Sequence, residues 1–146
     1  MISIPADARS DYALARAYLC RDGDERRLFE RLDSSSRHFH LTTNRHDDDH
    51  FDPNTNTIAW DPYSALRTTR GGTQSPALGL GHEIAHAVEA PQREARLSAR
   101  ALPGYDNAEE RRVIRGSERH AAHTLGEGVR FDHRGKAFHV ATPVSR

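Results

Sequence analysis

Several residue types are scarce in this sequence, and each scarcity excludes a class of protein. Cys20 is the single cysteine among 146 residues, so neither an intrachain disulfide nor a cysteine-based zinc knuckle can form. Folding therefore does not depend on an oxidising compartment. No apolar run approaches the roughly 20 residues that cross a bilayer. The N-terminal segment lacks a basic stretch followed by a long apolar block, which predicts that there is no Sec-type signal.

Net charge is absent as well. Lysine and arginine total 21, as do aspartate and glutamate, so neither nucleic acid nor an anionic membrane is predicted as a partner. Lys136 is the only lysine, and arginine supplies the remaining basic charge. A GC-rich genome explains this bias, as does a protein that works in a foreign cytosol and avoids lysine modification. Composition does not separate these two explanations.

The chain is long enough for one domain with one modest core. Residues 10–32 show helical spacing, interrupted by a turn at residues 21–24. Residues 37–43 alternate as a strand with Phe39 and Leu41 on one face, and Thr57–Trp60 reads as a second strand. Residues 129–143 predict a hairpin with its turn at Arg134 and Gly135. After Pro91 a short helix or an ordered loop is expected.

The stretch SPALGLGHEIAHAVEAP, residues 75–91, predicts a helix with a defined start and end. Ser75 suits the N-cap position and Pro76 the first helical position, and Pro91 ends the helix near residue 89. At about 100° per residue, four apolar side chains fall on one face and can enter the core: Ala77, Leu80, Ile84 and Val88.

The opposite face of this helix carries HEIAH. His82 and His86 lie one turn apart, and Glu83 is beside the first. Two imidazoles at this spacing bind zinc and leave a position for water, whose proton Glu83 can take as general base. Gly79 on the same face costs up to ~1 kcal/mol relative to alanine, which suggests that the space above it is needed. The alternative is a histidine-rich exposed face that binds no metal.

A zinc ion held by two histidines needs a third protein ligand, and we expect a glutamate from a following helix. In NAEERRVIRGSE the apolar residues centre on the face of Glu110, whereas Glu109 points about 100° away. An inward carboxylate is costly unless it is paired or bound to metal, so we predict Glu110 rather than Glu109 or Glu118. In the alternative, Asn107 and Glu110 form a capping box, and Glu110 binds only the Asn107 backbone.

These motifs resemble the NleD-type secreted effector zinc metallopeptidases of bacteria, small proteins injected by type III systems or carried as toxin domains. The matching pieces are NTIAWDP, SPALGLGHEIAHAVE, NAEERRVIRGSE and LGEGVRFDHRGK, in that order. They cover most of residues 56–136. HEIAH alone is unspecific, whereas a strand ending in WDP followed by SPA and LGHE is more specific. The segment GSERHAAH is richer in histidine than the family pattern, so we do not transfer a substrate.

The resemblance implies an α+β fold: a compact single-domain zincin with an HExxH active-site helix, a glutamate-bearing second helix and a small antiparallel sheet. We expect one domain over residues 1–146, with a helical region at 1–50 and a catalytic core at 51–146. The resemblance further implies one catalytic Zn²⁺ ion on His82, His86 and a glutamate of the EE pair. It implies Glu83 as the catalytic base of a zinc-dependent endopeptidase that works by zinc-bound water.

Some relatives cleave signalling kinases of a eukaryotic host. We therefore expect a secreted bacterial effector or toxin, made in the bacterial cytoplasm, exported without a Sec signal and acting in the cytosol of a target cell. Its expected partners are a protein substrate, such as a signalling protein, and a secretion chaperone. Two alternatives share the site: a zinc-stabilised binding module without turnover, and a metal-dependent hydrolase acting on a non-peptide amide.

The roles of several other residues stay open at this point. Thr57–Trp60 is a candidate edge strand for pairing with an extended substrate, or an ordinary strand with Trp60 in the core. Tyr105, Arg130 and His133 are unranked candidates for stabilising an oxyanion. HDDDH, residues 46–50, matches no calcium-loop pattern and favours a solvated loop. No substrate-binding residue is assigned.

Overall fold

The computed structural model describes residues 1–89 and 102–146, and it has the expected α+β character. The helices are α1 (Arg9–Leu19), α2 (Gly23–Ser34), α3 (Pro76–Val88), α4 (Ala108–Arg115) and α5 (Ser117–Leu125), with a 3-10 turn at Ala6–Ala8. The strands are β1 (Ile2–Ser3), β2 (Phe39–Thr43), β3 (His50–Asp52), β4 (Thr57–Trp60), β5 (Ser64–Thr68), β6 (Thr73–Gln74) and β7 (Gly135–His139). The segment predicted after Pro91 lies outside the described residues.

The helical region begins as its sequence predicts. The predicted turn at residues 21–24 separates α1 from α2. The Asp22 Oδ1 atom accepts the backbone N–H groups of Asp24 at 2.9 Å and Glu25 at 3.0 Å, so Asp22 is the N-cap of α2. Among the described residues, no helix has the length and apolar character needed to cross a membrane.

The strands form two sheets. The first has the order β1-β2-β4-β3, with parallel pairs β1–β2 and β2–β4 and an antiparallel pair β3–β4. The second is antiparallel, in the order β6-β5-β7. In β2, Phe39 and Leu41 are buried and the alternate residues are exposed, as the sequence predicts.

The second sheet is small and antiparallel, as predicted, whereas the first is mixed, because alternation within one strand does not reveal the direction of its partner. Of the two readings left open for Thr57–Trp60, the ordinary strand with Trp60 in the core is confirmed, since β2 and β3 flank β4 and Trp60 is fully buried. The edges of this sheet are β1 and β3. One strand prediction is wrong: residues 129–143 do not form a hairpin, because β7 pairs instead with β5, placing Ala137 opposite Leu66.

Helix α3 is the central element of the fold. It packs against α1, α2, α4 and α5 and against the first sheet, and every residue of α3 except Gly79 is buried. A helix that is covered on all sides has a fixed position, because no neighbouring element can move without opening the core. The HEIAH segment is therefore held rigidly.

Three separated motifs meet at the start of α3. Ser75 caps the helix, its Oγ accepting the N–H of Leu78 at 3.3 Å. The Glu127 carboxylate accepts both the backbone N–H and the hydroxyl of Ser75, each at 2.7 Å. The Trp60 indole N–H donates to the carbonyl of Pro76 at 2.8 Å. The sequence pieces WDP, SPA and LGEG thus share one structural task, which is to fix the entry into α3.

Candidate metal centre and active site

Three side chains from two helices converge on one point. His82 and His86 come from α3, and Glu110 comes from the first turn of α4. The two Nε2 atoms lie 2.9 Å apart, the His82 Nε2 is 3.0 Å from Glu110 Oε2, and the His86 Nε2 is 3.3 Å from Glu110 Oε1. These residues form a group that can hold a metal ion.

The spacing of these atoms fits a tetrahedral ion of zinc size. Zinc binds imidazole nitrogen and carboxylate oxygen at about 2.0–2.2 Å, and tetrahedral angles then place two ligand atoms about 3.3–3.4 Å apart. The measured separations of 2.9 to 3.3 Å come within a few tenths of an ångström of this value. Binding an ion therefore requires only slight side-chain adjustment.

The outward nitrogen of His82 is anchored by a buried ion pair. Its Nδ1 lies 2.7 Å from Glu118 Oε2, and Glu118 is in turn bound by Arg130 through Nε at 3.0 Å and Nη2 at 2.5 Å. Arg130 Nη2 also lies 3.1 Å from this Nδ1, so the carboxylate and the guanidinium together fix the ring with Nε2 facing His86 and Glu110. This is the arrangement of a metal-binding histidine supported by an outer carboxylate.

His86 has a matching support on the other side. Its Nδ1 lies 3.0 Å from Glu109 Oε1, and Arg112 binds Glu109 through Nε at 3.0 Å and Nη2 at 2.7 Å. Arg112 also donates to the carbonyl of Ala85 in α3. Both histidines thus direct Nε2 at the carboxylate of Glu110, so that a proton or a metal ion between these atoms would be shared by all three side chains.

The electrostatic field at this point favours positive charge. Burial would lower the pKa of His82, but its hydrogen bonds with Glu110 and Glu118 outweigh burial and raise that pKa to about 10. Burial would raise the pKa of Glu110, yet hydrogen bonds with His82 and His86 hold it well below its ordinary range. The surrounding carboxylates therefore attract a cation to this point.

Carboxylates outnumber guanidinium groups around the centre. The carboxylates belong to Glu83, Glu109, Glu110 and Glu118, and the guanidinium groups to Arg112 and Arg130. The donor set, two imidazoles and one carboxylate, is one that zinc accepts.

The centre opens into a cleft of about 210 Å³. Glu83 and His82 line the cleft, and Glu83 Oε1 lies 3.9 Å from His82 Nε2. Glu83 therefore stands beside the metal position without belonging to the ligand group, as a general base requires. The structure brings together His82, Glu83, His86 and Glu110, the four residues selected from the sequence.

The three candidates for oxyanion stabilisation have different positions. His133 lines the cleft; its Nδ1 lies 2.6 Å from Asp106 Oδ2 and its Nε2 is 3.4 Å from Glu110 Oε2. Arg130 also lines the cleft, but its guanidinium is engaged by Glu118. Tyr105 borders a separate surface pocket with Leu102 and Pro103. Of the three candidates, His133 is the one with a nitrogen directed at the centre, next to Glu110.

The reason given from the sequence for choosing Glu110 is wrong. Glu109, not Glu110, is the more deeply buried glutamate, with side-chain exposures of 0% and 13%. Glu109 faces inward because Arg112 and His86 compensate its charge. The capping-box alternative is also wrong, since the Asn107 N–H donates to the Tyr105 carbonyl and not to Glu110.

Sequence reasoning missed Asp49, which lies in the segment read as a solvated loop. Its carboxylate lines the cleft, and Oδ2 lies 2.7 Å from where a Cβ on Gly79 would stand. The space above Gly79, predicted to be needed, is thus needed for Asp49. Glu118, weighed in the sequence as a third ligand, instead supports His82. A single sequence offers no signal for either role, because both depend on contacts between distant segments.

A second group with metal-ligand atoms lies at the surface, formed by Asp22, Asp24 and His120. Its members have other structural tasks, since Asp22 caps α2 and Asp24 forms an ion pair with Arg27. His120 is exposed. We assign no metal to this group.

The chain was compared with known proteins in three ways. No protein-family model, curated protein or solved structure matches it. The resemblance to NleD-type effectors therefore rests on the quoted motifs alone, and a function can be proposed from these motifs and the geometry of the site.

Proposed function

We propose that this protein is a zinc-dependent endopeptidase, with His82, His86 and Glu110 as zinc ligands and Glu83 as general base. One observation carries the proposal: three ligand atoms converge at the wall of a cleft that also presents a carboxylate outside the ligand group. A peptide carbonyl and a water molecule can reach such a position together.

Zinc is the metal that suits this donor set best. Two neutral imidazoles and one carboxylate bind it in tetrahedral sites, and catalytic sites keep the fourth position open. Magnesium and calcium require surroundings rich in carbonyl groups or made of carboxylates alone. The described residues at the centre do not provide such surroundings. When bound, zinc lowers the pKa of a water molecule toward ~7 and polarises a carbonyl oxygen.

Glu83 then carries the proton through the reaction. Its carboxylate accepts a proton from the attacking water and delivers that proton to the leaving amine nitrogen. The proton returns to the product side, so Glu83 ends the cycle ionised as it began. The rigid position of α3, buried on all sides but at Gly79, holds this carboxylate at a fixed distance from the ligand group.

His133 is placed to stabilise the oxyanion. Its Nδ1 lies 2.6 Å from Asp106 Oδ2, which fixes the ring with Nε2 toward the centre. A donor held in this way is aimed before the negative charge develops, which is what lowers the barrier. Arg130 holds Glu118 and so acts on His82 rather than on substrate.

An extended substrate has a strand to pair with beside the cleft. Strand β3 is an edge of the first sheet, packs near α3, and directly follows Asp49, which lines the cleft. A peptide can bind to an edge strand by adding a further strand to the sheet. The role that the sequence suggested for Thr57–Trp60 thus passes to its neighbour, β3.

The open cleft favours an enzyme over a zinc-stabilised binding module. Structural zinc sites are closed by four protein ligands, whereas the described residues supply three ligands here, with Glu83 and His133 beside them. A binding module has no need of a carboxylate beside an incomplete ligand shell. A hydrolase for a non-peptide amide would use the same residues and differs in substrate.

The biological setting is proposed from the motif resemblance. It supports a bacterial effector or toxin that cleaves a protein, such as a signalling protein, in the cytosol of a target cell, with a chaperone assisting secretion.

One experiment tests the metal and the chemistry together. Purified protein is assayed for zinc content and affinity, and target-cell proteins are compared for new N-termini after expression of wild type or Glu83→Ala. We expect one tightly bound zinc ion in both proteins and new N-termini with wild type only. A folded protein that binds no zinc, or equal cleavage by Glu83→Ala, rejects the proposal.

The supporting glutamates give a graded control in the same assay. Glu110→Gln removes a ligand and should weaken zinc binding most. Glu109→Gln and Glu118→Gln each remove an outer partner of a ligand and should weaken it about 10- to 100-fold. Glu30→Gln, at an exposed position of α2, should change nothing. If Glu109→Gln weakens zinc binding more than Glu110→Gln does, the third ligand is Glu109.

A further inference from the structure

One wall of the cleft is acidic and is supplied by the loop between β2 and β3. Asp47 and Asp49 both line the cleft. Asp61, buried after β4, holds this loop in place: its N–H donates to Asp49 Oδ1 at 2.6 Å, and its Oδ2 accepts the N–H of Asp47 at 3.2 Å. Ser64 donates its hydroxyl to Asp47 Oδ1 at 2.6 Å. The two carboxylates are therefore positioned by the fold.

The Asp49 carboxylate lies directly on α3, one turn before His82. Its Oδ2 occupies the space beside Gly79, where any Cβ would stand 2.7 Å away. With Oδ1 bound to Asp61, Oδ2 is the atom left for the cleft. Gly79, the only residue of α3 that is not buried, thus allows a carboxylate to reach the cleft floor next to the metal ligands.

In the part of the chain that the structure describes, this acidic wall has no ion-pair partner. Within residues 1–89 and 102–146, no arginine, lysine or histidine forms an ion pair with Asp47 or Asp49. Burial, opposed by the Asp61 hydrogen bond, together with the negative charge of Glu83 raises the pKa of Asp49 well above its ordinary range. A cation arriving from outside would relieve this unfavourable field.

The missing cation is not a second metal ion. In the described part of the chain, the groups that bring three ligand atoms together do not include Asp47 or Asp49. The cleft also offers apolar surface beside the carboxylates, from the half-buried Leu66. Apolar walls leading to a carboxylate match a side chain with an aliphatic stem and a charged head.

We infer that the Asp49 wall of the cleft is a specificity subsite for an arginine or lysine side chain of the substrate. Asp49 binds the charged head, Asp47 adds a second carboxylate on the same wall, and Leu66 contacts the stem. A volume of about 210 Å³ is below the ~300–1,000 Å³ of pockets for whole drug-sized ligands, and suits one side chain.

The subsite also determines where the basic residue lies in the substrate. Glu83 lines the same cleft as Asp49, so on the proposed peptidase function, on which this inference rests, the basic side chain belongs to a residue next to the scissile bond. The substrate class is then a protein segment with an arginine or lysine at that position.

A binding experiment tests the subsite without relying on turnover. The zinc-loaded protein is titrated with n-butylguanidinium and with n-butylurea, its neutral isostere, and binding is followed by amide chemical shifts. We expect the guanidinium to bind roughly tenfold more tightly, with shifts at residues around Asp49. Asp49→Asn, which keeps the size of the side chain and an oxygen for the Asp61 N–H, should remove this preference.

A neighbouring residue provides the matched control. Asp48 is exposed, contacts His50 and does not line the cleft. Asp48→Asn changes the net charge equally and should keep the tenfold preference. Equal affinities for the two probes, or a preference that survives in Asp49→Asn, would overturn the inference.

Cleavage of a peptide library locates the subsite relative to the scissile bond. We expect arginine or lysine at one fixed position beside the cleaved bond, with kcat/KM for these peptides reduced about tenfold or more by Asp49→Asn. Cleavage without a preference for basic residues rejects this inference, while the proposed peptidase function stands. Guanidinium binding through Asp49 without any proteolysis rejects the proposed peptidase function, while the cation-binding subsite stands.

Discussion

Two carboxylic side chains lie against glycines of the same helix, and their surroundings make them opposites. Asp49 Oδ2 fills the space beside Gly79, and Glu25 Oε2 fills the space beside Gly81, 2.5 Å from where a Cβ would stand. Asp49 borders the cleft. Glu25 is completely buried between α2 and α3, and neither of its oxygens has a hydrogen-bond partner among the described residues.

The comparison shows what a buried carboxyl can do at each place. Burial, together with the nearby charges of Asp22, Glu118 and Asp24 and opposed by His82, raises the pKa of Glu25 to about 8. With no route for a counter-ion, Glu25 is neutral at pH 7 and serves packing. Asp49 is subject to a similar field, but at the cleft a substrate cation can reach it. The two side chains carry the same chemical group, and they differ in whether a cation from outside the protein can reach it.

The largest expected effect is the pH dependence that Glu25 imposes on stability. Its pKa is about 8 in the folded chain against 4.5 as the ordinary value, so the folded state holds a proton that the unfolded state has lost. Stability that is present below pH 4.5 is therefore lost progressively as the pH rises to 8, at about 1 kcal/mol per pH unit. Relative to Glu25→Gln, which cannot ionise, the wild-type free energy of unfolding should fall across this window.

Urea unfolding of both proteins at several pH values and saturating zinc measures this difference. The pH dependence of zinc binding enters both series and cancels between them. Parallel curves for the two proteins would show that Glu25 ionises in the fold and has a partner.

The next effect concerns Gly81. An alanine there forces its Cβ against a carboxyl that is buried on every side, and overpacking of this kind costs about 1–3 kcal/mol. The gain in helix propensity recovers up to ~1 kcal/mol, so thermal unfolding should show a net loss. Adding Glu25→Ala to Gly81→Ala should restore part of that loss, because the colliding group is gone. If the two substitutions instead have independent, additive effects on stability, Gly81 and Glu25 do not compete for the same space.

Local chemistry in the sequence predicted the helix α3 and its residues well. Ser75, Pro76 and the apolar face are sufficient for a capped helix, and the spacing of His82 and His86 places both on one side of it. The alternation in β2 likewise predicted its buried face. These features depend on residues a few positions apart, which is why one sequence reveals them.

The predictions that failed depend on partners far away in the chain. Nothing local shows that Arg112 and His86 compensate the charge of Glu109, which therefore faces inward. Nor does the local sequence show that Glu110 lies against His82 at the candidate metal position. Nor does HDDDH reveal that Asp61 and Gly79 lock Asp49 over α3. The sequence therefore located the centre of the site, while its supports and its acidic wall required the fold.

The smallest expected effect on stability is that of Gly79→Ala, which tests whether Asp49 is less confined than Glu25. The Cβ of Gly79→Ala would also collide with a carboxylate, but Asp49 can turn toward the cleft, so the strain is released and offsets the ~1 kcal/mol gained in helix propensity. We expect the free energy of unfolding to change by less than about 1 kcal/mol, while n-butylguanidinium binding weakens, because Oδ2 has moved. Calorimetric unfolding and the probe titration, run on the same sample, check both halves. A loss of stability as large as that of Gly81→Ala would mean that Asp49 is as confined as Glu25, and that the cleft wall is part of the core.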